Sequence, residues 1–112
     1  MSHHQIVIVG GGNAGISVAA QLLRKNSKLD IAIIDPAEKH YYQPAWTLVG
    51  GGAFDIAKTE RSEASVMPKK AKWIKEAVES FSPENNTVNT TGGVYTYDYM
   101  VVCPGIQLNW SA

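Results

Sequence analysis

Three glycines at fixed spacing and one acid downstream are the chemically suggestive residues of this chain. Gly10, Gly12 and Gly15 form a Gly-x-Gly-x-x-Gly run, and Asp35 follows twenty residues after Gly15. Gly10 permits a tight turn out of a strand, and Gly12 lets backbone approach a phosphate group closely. Gly15 lets a following helix pack tightly on a sheet. The start of that helix offers free N–H groups and a positive dipole end to an anion. Asp35 is placed to accept hydrogen bonds from a ribose.

These residues need a particular frame, and the flanking sequence supplies it. Gln5 to Val9 reads as a strand, and a helix runs from Asn13 to Lys25, with Ile16, Ala19, Ala20 and Leu23 on one buried face. Arg24 and Lys25 suit the negative end of its dipole, and Asn26 is its stop. Asp30 to Ile34 is almost continuously apolar, as in a parallel strand covered on both faces. Strand, glycine turn, helix, strand and terminal acid make a dinucleotide-binding βαβ unit. An acid at position 35 repels a 2′-phosphate, which favours FAD or NAD over NADP.

Residues 36–71 carry little strand signal. They open with His40-Tyr41-Tyr42-Gln43-Pro44-Ala45-Trp46, and Pro44 can start a short helix that Gly50-Gly51-Gly52 ends. The aromatics read equally as a small satellite cluster or as a wall against a flat ring. A long loop leaving the C-terminal end of a strand is more often functional than idle. Beyond it, Lys72 to Phe81 reads as one strand, Pro83 to Asn86 as a turn, and Thr87 to Thr91 as an antiparallel partner. Gly92-Gly93 signals a hairpin into Val94 to Tyr97, a three-stranded β-meander in all. Tyr99 to Cys103 is a further apolar run, expected beside the first strand. The fold expected is α/β: a Rossmann-like FAD/NAD(P)-binding domain whose parallel sheet carries an antiparallel meander.

The 112 residues fit one domain, and 45% hydrophobic with 18% charged content describes a globular chain. Ten basic and ten acidic side chains cancel, which gives nucleic acid and polybasic membrane contacts no support. No apolar run has the length to span a bilayer, and Met1 to His4 lacks the features of a signal peptide. His3 and His4 receive no role. One cysteine, Cys103, allows no internal disulfide, and with three scattered histidines it offers no metal-ligand spacing. Cys103 ends an apolar run with no adjacent base, so packing is favoured over catalysis. No catalytic residue is assigned.

VGGGNAGISVA, DPAEKHYYQPAWTLVGGG, ASVMPKKAKWIKEAV and YDYMVVCPGIQLNW together resemble the N-terminal part of sulfide:quinone oxidoreductases, in the branch shared by bacteria and mitochondria. HYYQPAWTLVGGG and PGIQLNW are the specific stretches, and nearly the whole chain is covered. The wider superfamily includes type II NADH dehydrogenases. The resemblance implies FAD, with Asn13 and Ala14 at the pyrophosphate and Asp35, beside Pro36, at the adenosine ribose. It places Gln43 and Pro44 towards the flavin, the Val78 backbone at the adenine, and Cys103, Pro104 and Gly105 over the middle of the cofactor. Without the resemblance Val78 reads as an ordinary strand residue.

In the family, sulfide attacks a cysteine disulfide and electrons pass through flavin to a membrane quinone. This chain ends before the redox cysteines, the second nucleotide-binding-like domain, the Gly-Asp segment that holds the ribitol, and the membrane-facing helices. The expectation is therefore an FAD-binding N-terminal portion, not catalytic alone, cytoplasmic or peripheral to an energy-conserving membrane. Two alternatives stand beside it: a related FAD/NAD(P)-dependent reductase such as a type II NADH dehydrogenase, and a flavin-free fragment that self-associates.

Overall fold

The computed structural model describes residues 2–37, 39–41, 50–52, 57 and 60–104. Strand β1 (Ser2–Val9) leads through the glycine turn into α1 (Asn13–Lys25), then β2 (Ile31–Ile34). A short ribbon follows, β3 (Lys39–Tyr41) with β4 (Glu60–Ser62), capped by the single turn α2 (Glu63–Val66). Then come β5 (Lys72–Ile74), β6 (Val78–Ser82), β7 (Thr87–Thr90) and β8 (Gly93–Val102). The main sheet has the order β5-β2-β1-β8-β7-β6; its first four strands are parallel and its last three antiparallel.

The expected α/β class, the βαβ unit and the placing of the last apolar run beside β1 all hold. Ile6 pairs with Ile31 on one side and with Tyr99 on the other. Alternation sorts the core. Ile6, Ile8, Ile31 and Ile33 pack under Ala19 and Leu23 of α1, while Val7, Val9, Ala32, Ile34 and Ile74 face the other way. Ile31 to Ile34 are all buried, as a doubly covered parallel strand requires. The helix stops where Asn26 caps it, its N–H donating to the Leu22 carbonyl.

Four expectations are corrected. Lys72 to Phe81 is two strands, because the chain bends at residues 75–77, where the Glu76 N–H donates to the Ile74 carbonyl. Val94–Tyr97 and Tyr99–Cys103 are one ten-residue strand, β8, which serves both the meander and the parallel sheet. The hairpin turns on Thr91-Gly92, with Thr90 opposite Gly93. Finally β1 begins at Ser2, so His3 and His4 do have places. His4 is buried, with Nδ1 2.9 Å from Asp30 Oδ1, and His3 bonds the Thr96 hydroxyl.

The split strand decides the shape. Six flat strands at roughly 4.8 Å spacing would set β5 and β6 about 24 Å apart. Residues 75–77 alone join them, a reach of about 14 Å at most. The meander must therefore fold back over one face of the parallel sheet. The core agrees: Val88 and Tyr97 pack with Val7, Val9, Ile34 and Ile74, against Val78 and Met100.

Candidate functional site

The folded-over meander and the C-terminal ends of β1 and β2 enclose a cleft of about 200 Å³. It is lined by Val9, Gly10, Ile34, Asp35, Pro36, Ala77, Val78 and Pro104. Five residues named from sequence thus meet there: Gly10, Asp35, Pro36, Val78 and Pro104. Val78 arrives only because the strand breaks before it. Cys103 is not among the lining residues; its N–H donates to the Val9 carbonyl at 2.7 Å. Gln43, Pro44 and Gly105, and the helix expected after Pro44, lie outside the described residues.

The three motif glycines do three different jobs. Gly10 has φ +107°, and a β-carbon on it would sit 2.0 Å from the Cys103 carbonyl oxygen. A β-carbon on Gly15 would sit 1.9 Å from the Gly10 carbonyl oxygen, so helix and turn touch backbone to backbone. At Gly12 nothing lies within 4 Å of that position. There the chain faces open space at the start of α1, which has no side-chain cap. Asn13 and Ala14, in the first turn, are exposed with it. An uncapped first turn leaves N–H groups free for an acceptor from outside.

Asp35 is held in place by backbone. Its Oδ2 accepts from the Gly11 N–H at 2.5 Å and its Oδ1 from the Ala37 N–H at 2.8 Å. Its own N–H donates to the Ile74 carbonyl, and the Trp73 indole donates to its carbonyl oxygen at 3.0 Å. Four bonds fix one acid at the mouth of the cleft.

Sequence reasoning missed Gly11, Trp73, Ala77, His40 and Glu63. A β-carbon on Gly11 would lie 2.9 Å from Asp35 Oδ2 and 3.0 Å from Glu63 Oε2. The run of three glycines was the available signal, since the spacing motif needs only two of them. Glu63 is 1% exposed. Burial, and then the negative charge of Asp35, push its carboxyl up to about 7. Among the described residues no group of three or more potential metal ligands converges, and no helix is long and apolar enough to cross a membrane.

Turn, helix start and terminal acid, closed over by a meander, define a dinucleotide-binding domain. The chain belongs to the pyridine nucleotide-disulphide oxidoreductase family, whose model matches residues 4–110. FAD is the cofactor of this family. The sulfide:quinone oxidoreductase resemblance is supported by individual relatives. The mitochondrial sulfide:quinone oxidoreductase of Dictyostelium discoideum is 53% identical over 108 residues, 95% of this chain and 24% of the relative. That of Mus musculus is 37% identical over 97% of this chain and 24% of the relative. The X-ray structure of the enzyme from Aquifex aeolicus superposes with a TM-score of 0.79 at 31% identity, over all of this chain and 26% of that one. The chain therefore spans about a quarter of the length of the relatives it matches.

Proposed function

We propose that this chain is the N-terminal portion of an FAD-binding domain, in a flavoprotein oxidoreductase of the sulfide:quinone type. The observation that carries this reading is the meeting of Asp35, Gly10 and Val78 in one cleft beside an uncapped helix start. The residues present fit the group. Gly12 leaves room for a pyrophosphate to approach backbone, and the Asn13 and Ala14 amides face it. Asp35 and Pro36 would flank the adenosine ribose, and Val78 would offer backbone to the adenine, since the Ala77 N–H and C=O are both bonded to Thr91. Cys103 and Pro104 border the middle of the cofactor, with Gln43, Pro44 and Gly105 assigned to its flavin half. Bound FAD supplies two-electron redox chemistry; the chain's own residues bind and orient it. In full-length proteins of this type the reaction assigned is sulfide oxidation with quinone as electron acceptor, at a membrane surface.

The test is a visible spectrum of the purified chain before and after FAD is added and unbound cofactor removed. A flavin spectrum should stay with the protein, and Asp35→Ala should lose it. A folded chain that remains colourless in excess FAD would overturn the assignment. It would favour the second reading, self-association without flavin, for which Tyr99 (70% exposed) and Val102 (49% exposed) on an inner strand are the supporting observation.

A further inference from the structure

The Gly11–Gly12 peptide is gripped from inside the protein. His40 is buried, and its Nδ1 lies 3.3 Å from the Gly11 carbonyl oxygen. A carbonyl only accepts, so Nδ1 carries the proton of that bond. Among the described residues there is no cis peptide bond. In a trans unit the N–H points opposite the C=O. Drawing the Gly11 carbonyl inward therefore turns the Gly12 N–H outward. That N–H has no hydrogen-bond partner among the described residues, and Gly12 faces open space. Glu63 lies on the same side of the ring, beside Gly11: its Oε1 is 3.5 Å from the same Nδ1 and buried without a hydrogen bond.

We propose that His40 and Glu63 are a positioning pair for the pyrophosphate: His40 aims the Gly12 N–H at the anion, and the charge on Glu63 tunes how strongly the anion binds. The proposal rests on the FAD assignment above. It names two residues of the ribbon and its capping turn, neither of which touches the cleft.

The sign follows from the charges present. Glu63 is faced by His40 from β3 and by Asp35 from the end of β2. On β4, Arg61 is exposed with its guanidinium on the Glu60 carbonyl, and Glu60 is half-buried. A second carboxylate charge beside Asp35, beneath the loop that meets the pyrophosphate, opposes an anion. Neutral Glu63 does not. Burial, and then Asp35, push the Glu63 carboxyl up to about 7, so affinity should be greatest below that pH and fall as pH rises through it.

FAD binding to the 112-residue chain, measured by equilibrium dialysis at pH 6 and pH 8, tests this. Wild type should bind roughly tenfold more weakly at pH 8, about 1.4 kcal/mol. Glu63→Gln should remove that pH dependence and bind at pH 8 as wild type does at pH 6. His40→Phe should weaken binding about tenfold at both values. His40→Asn, whose amide nitrogen can take the place of Nδ1, should restore most of it. A purely structural role would predict neither the flat profile of Glu63→Gln nor rescue by asparagine. Wild-type binding that is equal at both pH values, or unchanged in His40→Phe, overturns the proposal and leaves the FAD assignment standing. No FAD binding by folded wild type overturns both.

Discussion

Gly10, Gly12 and Gly15 look alike in the sequence and should respond differently to alanine. At Gly10 and Gly15 the new methyl meets a carbonyl oxygen near 2 Å, and at Gly10 the backbone itself is left-handed. Each substitution should cost at least about 3 kcal/mol, read by urea denaturation. Gly12→Ala should change stability by less than about 1 kcal/mol, because nothing opposes the methyl. Its loss should appear in FAD affinity instead. Glu63 gives a pH signature at the same scale. Its carboxyl is raised from 4.5 to about 7, so between those values the folded state keeps a proton that the unfolded chain has released. Stability therefore falls as pH rises across that window and is level above it. Glu63→Gln should be more stable than wild type by about 3 kcal/mol at pH 8, with the gain vanishing near pH 4.

The elements show where sequence pattern suffices and where it stops. β1, α1 and β2 were legible because each has one period throughout: an apolar run, a helical stripe, a second apolar run. The glycines between them fit one local geometry, so the tight turn at Gly10 and the close helix packing at Gly15 were legible too, whereas the approach of the Cys103 carbonyl to Gly10 was not. Lys72 to Phe81 was not, since a bend of three polar or small residues, Lys75-Glu76-Ala77, leaves the apolar pattern on both sides unbroken. What enforces the bend is long-range. The Thr91 N–H donates to the Ala77 carbonyl, and the Glu76 carboxylate accepts from the Thr90 and Tyr95 hydroxyls. The His40–Glu63 pair was illegible for a similar reason: an isolated glutamate reads as surface until a fold buries it. Glu76→Ala should loosen the meander by about 1–3 kcal/mol. It should also lower the Tyr95 phenol, which burial and then Glu76 hold above its ordinary value. Denaturation and ultraviolet tyrosinate titration read the two effects.

At the scale of the molecule, the cleft exists because one sheet doubles as two layers. β8 runs through both: Tyr95 stands opposite Val88 in the meander, and Val101 opposite Ile8 in the parallel sheet. A ligand bound there is held between layers that share one backbone, so binding should stiffen the whole sheet. Amide hydrogen exchange should slow on adding FAD at β6 and β7 as well as around Gly10 and Asp35. Protection confined to the glycine turn would show that the layers move independently.

The pairing of β1 with β8 also sets a timetable. Ile6 must find Tyr99, and Val9 must find Val102. On a ribosome adding about 5–20 residues per second, the first strand waits roughly 5–20 s for the last one to emerge. Until then Ile6 to Val9 is an apolar segment with an open edge, sheltered only by α1 and β2. Newborn chains halted before residue 93 should remain protease-sensitive and associate with holdase chaperones. Because β1 pairs with a strand so distant in sequence, this sheet should close slowly.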